Sequence, residues 1–281
     1  AIGFGTLTDN TTGANNTALG LNSLANNTTA NSNTAVGTNS LVANTTGADN
    51  VAVGRNAYDA NTTGHSGVAI GESSLTTNTT GLRNVAVGQN CMAVNTTGAE
   101  NVAMGRNALD ANTTASNNVA IGDSALTLAT TAAKNTAIGS GAGASVTTGG
   151  FNVLVGIDSG DTLTTGDTNI LIGNTARTSS ASGSNQISMG VVVTCVGDDN
   201  FTFGNQGTDS NIAFGATSIT APSDIRLKED IQDEEVGLDF INDLRPVTFL
   251  WKKEKDIPSE MKAYKEGSEE RTMNGKYNHG F

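Results

Sequence analysis

Glycine recurs every seventeen residues over the first two thirds of this 281-residue chain. Counted from the Gly that closes each Ala-Val/Ile-Gly phrase, it falls at positions 3, 20, 37, 54, 71, 88, 105, 122, 139, 156, 173 and 190. A fixed period of this length is typical of a solenoid, in which one repeat cannot bury its own apolar side chains and stacks on its neighbours. The sequence therefore predicts an all-β fold built as a parallel β-roll or β-helix of 17-residue repeats.

Each repeat follows the phrase Asn-Val/Thr-Ala-Val/Ile-Gly, which alternates and so predicts a short strand. We expect Val51 and Val53 to point into a core, and Ala52 and Gly54 to leave room for another backbone. The Asn-Thr-Thr-Gly link predicts a tight turn whose polar side chains form ladders between rungs. A second apolar position predicts a second short strand that closes each coil: Leu24, Leu41, Tyr58, Leu75, Met92, Leu109 and Leu126.

The chain has few large apolar side chains, with 34 Gly and only 4% aromatic residues. Each rung offers about three sizeable apolar groups at roughly 1.5–3 kcal/mol each. Its seventeen residues each lose about 1–2 kcal/mol of backbone entropy. We therefore expect an obligate homo-oligomer, in which the Ala-Gly side of each coil packs against copies of the same chain.

Charge and residue spacing argue against several functions. A formal net charge of -12 disfavours nucleic acid as a partner, and no apolar run reaches the roughly 18 residues that span a bilayer. Cys91 occupies a position where other repeats have Ala or Ser, which predicts a small buried side chain. His65 and His279 are isolated, so we expect neither a metal nor a cofactor. The chain starts at Ala1 within a repeat phrase, and we expect a fragment or a processed product.

Composition changes after residue 222. Charged residues number 24 of 59 in 223–281 and 18 of 222 before it. We predict three parts: a repeat shaft over 1–190, an irregular β neck over 191–222 and a separate domain over 223–281. Within the last part, Val236, Phe240 and Leu244 lie at helical spacing before Pro246. The alternation of Val247, Phe249 and Trp251 predicts a strand.

The phrases "NVAVG" and "NVAIG" resemble the head repeats of trimeric autotransporter adhesins of the YadA type over residues 1 to about 190. That resemblance implies a left-handed parallel β-roll packed as a homotrimer. The longer Asn-Thr-Thr-Gly loop departs from the adhesin repeat, and an intertwined triple β-helix stays open as an alternative.

The phrase "SDIRLKEDI", followed by "GLDFINDLRPVTFLWK", resembles the self-cleaving intramolecular chaperone at the C-terminus of phage tailspikes and tail fibres. The resemblance runs from Ser223 to the end and implies a partial α+β chaperone domain that aids trimerisation. It also implies cleavage between Pro222 and Ser223, with Ser223 as nucleophile and Lys228 as base. Residues five apart need a bend or a second chain to meet. We therefore hypothesise that Lys228 comes from an adjacent chain and that cleavage reports correct assembly.

These observations predict a trimeric phage tail fibre that recognises a bacterial surface receptor as part of the virion. Its chemistry would be at most a single-turnover, self-cleaving serine endopeptidase. Two alternatives stay open. One is the head of a bacterial trimeric adhesin on the cell surface, and the other is the C-terminal part of a polysaccharide-depolymerase tailspike.

Overall fold

The computed structural model describes residues 1–216, 247–249, 251–260, 264–271 and 278–280. The chain divides into two compact units, Ala1–Pro222 and Ser223–Phe281. The described residues of each unit are considered separately below. Pro222, Ser223 and Lys228 lie outside the described residues, as does the helix predicted around Val236, Phe240 and Leu244.

The first unit contains one sheet of thirteen strands that follow one another in chain order. From β1 to β11 each strand pairs in parallel with the strand seventeen residues further on, for example Thr17 with Thr34 and Ile172 with Met189. This register confirms the predicted parallel β-solenoid. The strands are β1 Thr17–Leu19, β2 Thr34–Val36, β3 Val51–Val53, β4 Val68–Ile70, β5 Val85–Val87, β6 Val102–Met104, β7 Val119–Ile121, β8 Thr136–Ile138, β9 Val153–Val155, β10 Ile170–Ile172, β11 Gln186–Val191, β12 Asn200–Asn205 and β13 Ser210–Ala213.

The period changes at the end of the solenoid. β12 is still parallel to β11, but its partner residues are fourteen apart, as in Gln186 with Asn200. β13 then reverses direction and pairs with β12 as an antiparallel hairpin, with Phe201 opposite Ile212. The last strand therefore ends the parallel stack.

The side of each strand that faces inward is the opposite of the one predicted from the sequence. Ala52 is completely buried, whereas Val51 and Val53 lie partly exposed on the outside of the coil. The same pattern holds in the other three-residue strands. The interior of one rung is narrow, so the small side chain faces inward and the β-branched ones face out. The prediction that the Ala-Gly side packs against other chains is wrong.

The prediction of a second strand in each coil is also wrong. Leu24, Leu41, Tyr58 and Leu75 are completely buried, but they lie in turns with φ between 50° and 56°. This left-handed backbone turns the chain sharply and points one large side chain into the interior at every rung. Tyr58 fills the Leu position, as the sequence predicted.

The recurring glycine allows adjacent rungs to stack closely after each strand. Gly54 has φ of 139°, a conformation that L side chains rarely adopt. A Cβ atom at this position would lie 2.5 Å from the carbonyl oxygen of Gly71 in the next rung. The seventeen-residue glycine period is therefore a requirement of backbone contact between rungs.

Two asparagine ladders hold the rungs together: the one in the Asn-Thr-Thr-Gly turn was predicted from the sequence, and the one beside the strand was not. In the turn ladder, the Asn44 amide donates to Asn27 Oδ1 (3.0 Å) and to the Gly47 carbonyl (2.9 Å). In the strand ladder, Asn33 Oδ1 accepts from the Asn50 backbone N–H at 3.0 Å. These buried groups are uncharged, so the ladders satisfy backbone and side-chain polar groups without ionisation.

One rung departs from the pattern at two positions that compensate each other. Gly67 replaces the strand-ladder Asn, and a Cβ there would lie 2.6 Å from the Tyr58 ring. The Tyr58 hydroxyl donates to the Gly81 carbonyl (3.3 Å), the acceptor expected for an Asn at position 67. The Asn78 amide donates to the same hydroxyl (3.2 Å), and Asn61 Oδ1 is left without a hydrogen bond. The large ring therefore fits only because residue 67 is glycine.

The described part of the second unit contains a two-stranded antiparallel sheet, β14 Val247–Phe249 with β15 Asn278–Gly280. The predicted strand is confirmed at Val247 and Phe249 but does not extend to Trp251. A short 3-10 helix follows at Glu254–Asp256.

Candidate functional site

The outward side chains of β1–β12 form a largely apolar surface, which we call the strand face. Each strand contributes two such side chains, and parallel pairing aligns them into two columns. Twelve strands at about 4.8 Å give this surface a length of roughly 50 Å. The outer column consists of Leu19, Val36, Val53, Ile70, Val87, Met104, Ile121, Ile138, Val155, Ile172, Met189 and Phe203.

The strand face is partly exposed in the isolated chain: some of its side chains are half-buried and others are exposed. Met104, Ile70 and Ile172 are 43%, 39% and 37% exposed. The side chains become larger towards the C-terminal end, where Phe201 and Phe203 lie with their ring centroids 5.0 Å apart. Contiguous apolar surfaces of this extent on a monomer mark interaction sites.

A column of mostly polar residues borders the strand face on each side. The first flank lies before each strand and consists of Asn15, Ser32, Asp49, Ser66, Arg83, Glu100, Asn117, Lys134, Phe151, Thr168 and Asn185. The second flank lies two residues after the outer column and consists of Leu21, Thr38, Arg55, Glu72, Gln89, Arg106, Asp123, Ser140, Ile157, Asn174 and Val191. Members of one flank are seventeen residues apart, so each flank runs along the stack.

Opposite charges pair along each flank. On the second flank, Arg55 pairs with Glu72, and Arg106 Nε lies 2.9 Å from Asp123 Oδ1. On the first flank, Arg83 pairs with Glu100. Further along that flank, Lys134 Nζ lies 4.7 Å from the centre of the Phe151 ring. All three ion pairs are exposed to solvent, so each contributes little to stability.

The described part of the second unit carries a cluster of exposed ion pairs. Glu269 accepts from Lys253 and Lys255, and these hydrogen bonds lower the pKa of its carboxyl to about 2. Hydrogen bonds from Ser268 (2.8 Å) and Lys265 (3.1 Å) lower the pKa of Glu254. This cluster holds the 3-10 helix against the segment around Ser268.

The two cysteines are buried, free thiols. Burial raises the pKa of Cys91 to about 12 and that of Cys195 to about 11. Thiols with such pKa values are protonated at neutral pH and are poor nucleophiles. The prediction that Cys91 is a small buried side chain is confirmed.

The described residues offer neither a membrane-spanning helix nor a metal site. They contain no helix long and apolar enough to cross a membrane. The same part of the chain contains no group of three or more His, Cys, Asp or Glu residues that could hold a metal ion.

Comparison with known protein families identifies one region. Residues 223–268 match the family described as Chaperone of endosialidase. The match starts at Ser223, the predicted nucleophile. A comparison of the chain with curated proteins gave no match, and a comparison with solved structures gave none. The chain thus combines a β-solenoid with a segment similar to an intramolecular chaperone.

The sequence reasoning missed the strand face and its flanks. It identified the alternating strand correctly but assigned the outward residues to the core. A signal was present in the residues around it: Asp49, Arg83, Glu100 and Lys134 recur at one position of the repeat, where a core-facing side chain would not be charged. That position marks a surface column beside the strand.

Proposed function

We propose that this protein is a trimeric fibre of a phage tail, with a host-recognition shaft and a C-terminal folding chaperone. The observation that carries the proposal is the combination of a partly exposed apolar face along the solenoid with a chaperone match that starts at Ser223. An apolar face of this kind is stabilised when another protein surface covers it. A chaperone that assembles trimers would bring two further copies of the chain against this face. The YadA-type resemblance of the repeats supports the same assembly.

In this function the strand face packs around the trimer axis and the remaining surfaces of the shaft face the host. Turn residues such as Thr29, Thr46 and Thr63 lie exposed on a surface other than the strand face. They present a regular array of hydroxyl groups that suits a bacterial surface glycan or protein as the receptor. The site of action is then the virion surface.

Self-cleavage removes the chaperone once the shaft has assembled. The Ser223 hydroxyl attacks the carbonyl carbon of Pro222, and Lys228 takes the hydroxyl proton. The C–N bond of the scissile peptide breaks, and the released amine receives a proton. Water then hydrolyses the ester, which gives a carboxylate on Pro222 and regenerates the hydroxyl of Ser223. A Lys can act as this base only when its surroundings lower its pKa.

Intact mass of the purified chain tests the cleavage. We expect a product that ends at Pro222 for the natural sequence and an uncut chain for Ser223→Ala. Lys228→Ala should slow cleavage at least 100-fold, in the range expected when a general base is removed. Lys252→Ala, which removes an exposed lysine of the same unit, is the matched control and should cleave normally. Cleavage of Lys228→Ala at the normal rate would exclude Lys228 as the base.

Binding to whole bacteria tests the recognition role. The fluorescently labelled protein, applied to a panel of bacterial strains, should bind a restricted set of them. Release of oligosaccharide from the surface polysaccharide of a bound strain would instead favour the depolymerase alternative. Uniform failure to bind any strain that the parent phage infects would contradict a receptor-binding shaft.

A further inference from the structure

The two flanks of the strand face carry charges that complement each other rung by rung. Within one rung, Asp49 lies before β3 and Arg55 lies after it. Glu100 and Arg106 border β6 in the same way. In the four remaining charged rungs the single charge has a neutral polar residue on the other side: Ser66 with Glu72, Arg83 with Gln89, Asn117 with Asp123, and Lys134 with Ser140.

We propose that copies of this chain associate in parallel and in register, with the first flank of one chain against the second flank of the next. The inference rests on the assembly in the proposed function and adds its interface and register. In a closed ring of copies around an axis along the solenoid, each first flank faces a neighbouring second flank. Each rung of one copy then contacts the same rung of its neighbour.

In this register Asp49 meets Arg55 of the next copy, and Glu100 meets Arg106 of the next copy. Phe151 and Ile157, which are 57% and 54% exposed, border the same strand and also meet. No rung brings together two like charges. Phe151 of one copy and Ile157 of the next thus cover each other from water.

The pairs within each chain extend this pattern along the axis. Arg55 pairs with Glu72, Arg83 pairs with Glu100 and Arg106 pairs with Asp123 inside a chain. Where the first flank of one copy meets the second flank of the next, the charged residues follow one another along the axis. Their order is Asp49, Arg55, Glu72, Arg83, Glu100, Arg106, Asp123 and Lys134. The sign of the charge alternates at every step of this series.

A shift of one copy by one rung relative to its neighbour shows which registers the charges allow. When each first-flank residue meets the second-flank residue one rung further on, Asp49 faces Glu72 and Arg83 faces Arg106. Glu100 then faces Asp123, so this shift creates three like-charge contacts. The opposite shift matches charges, with Arg83 facing Glu72, but copies shifted in one direction cannot close a ring. Closure and charge together select the in-register arrangement.

Disulfide cross-linking tests the register in the full chain, with Cys91→Ala and Cys195→Ser as background. Asp49→Cys/Arg55→Cys places two thiols in one rung, roughly 15–20 Å apart along the extended chain. A disulfide needs Cα atoms within about 7 Å, so the pair can bond only between chains. Phe151→Cys/Ile157→Cys repeats the test at another rung, and Asp49→Cys/Glu72→Cys is the matched control for the shifted register.

We expect mild oxidation to convert most of both in-register variants to covalent oligomers, at least tenfold more than the control. Native mass of the unoxidised variants separates the outcomes. A trimer that cross-links only in the shifted control would overturn the register. A trimer that cross-links in no variant would overturn the choice of face and leave the proposed trimer intact. A monomer would overturn both this inference and the assembly in the proposed function.

Discussion

In the solenoid, neighbouring rungs are joined by buried, uncharged hydrogen bonds, whereas in the second unit the described contacts around Glu254 and Glu269 are ion pairs at the surface, with Glu269 exposed and Glu254 partly buried. The solenoid repeats one arrangement many times, so each rung supports the next. The second unit has no such repetition in its described residues. The comparison indicates that the shaft depends on backbone fit and the described part of the second unit on charge, and the following predictions test this difference.

The largest effect is expected where rungs touch through backbone. Gly54→Ala places a Cβ 2.5 Å from the Gly71 carbonyl oxygen, at a residue with φ of 139°. Strain and overpacking should together lower the free energy of unfolding by roughly 3 kcal/mol. Urea unfolding followed by far-ultraviolet circular dichroism measures this. Gly197→Ala, where nothing lies within 4 Å of the added Cβ, is the control and should stay within about 0.5 kcal/mol.

The Tyr58 and Gly67 pair should show strong coupling. Gly67→Asn drives a side chain into the Tyr58 ring and should cost about 2 kcal/mol. Tyr58→Leu removes the hydroxyl that bonds the Gly81 carbonyl and should cost about 1–3 kcal/mol. The double variant restores the pattern of the neighbouring rungs and should recover most of the loss. Additive costs in this double-mutant cycle would show that the two residues do not compensate each other.

Acid should affect the second unit before the solenoid ladders. Hydrogen bonding lowers the pKa of Glu269 and Glu254 below the ordinary value of 4.5. Their stabilisation is therefore complete above about pH 4.5 and is lost as the pH falls towards about 2. Trp251 is the sole tryptophan of the chain, so its fluorescence reports the second unit alone.

Tryptophan fluorescence should therefore change between pH 4.5 and pH 2, while circular dichroism from the amide-linked solenoid changes less. Glu269→Gln should weaken the fluorescence transition, because it removes the acceptor that both Lys253 and Lys255 use. A fluorescence signal that stays flat over this range would mean that the ion pairs do not hold the unit together.

The smallest effect is expected for ion pairs along the flanks. Glu72→Gln breaks the exposed pair with Arg55 and should cost about 0.2–1 kcal/mol. The cost should shrink at 0.5 M salt, because screening weakens exposed pairs. Thermal unfolding at low and high salt measures the difference. A cost above 2 kcal/mol would show that the pair is desolvated by something beyond its own chain.

The sequence predicted the period and the strands but not which side of each strand faces inward. Alternation shows that Val51 and Val53 share one side and Ala52 the other, yet it does not say which is inside. That depends on the width of the coil, which is set by the left-handed turns at residues such as Leu75. Leucine has no preference for this conformation, so composition gave no signal for it.

The compensating pair was within reach of sequence reasoning. Tyr58 and Gly67 both depart from the repeat, and they do so nine residues apart in one coil. The predicted Ser223 and Lys228 site came from resemblance and stays a prediction, because both residues lie outside the described structure. The flank pairing required three-dimensional register, since Asp49 and Arg55 of different chains meet only when the rungs are aligned.

Sedimentation equilibrium of the uncut Ser223→Ala chain at low micromolar concentration tests the central claim most directly. If the strand face is buried between copies, the particle has the mass of three 28.5 kDa chains and does not dissociate on dilution. A stable particle with the mass of one chain would mean that the apolar face remains in water, and would contradict the account.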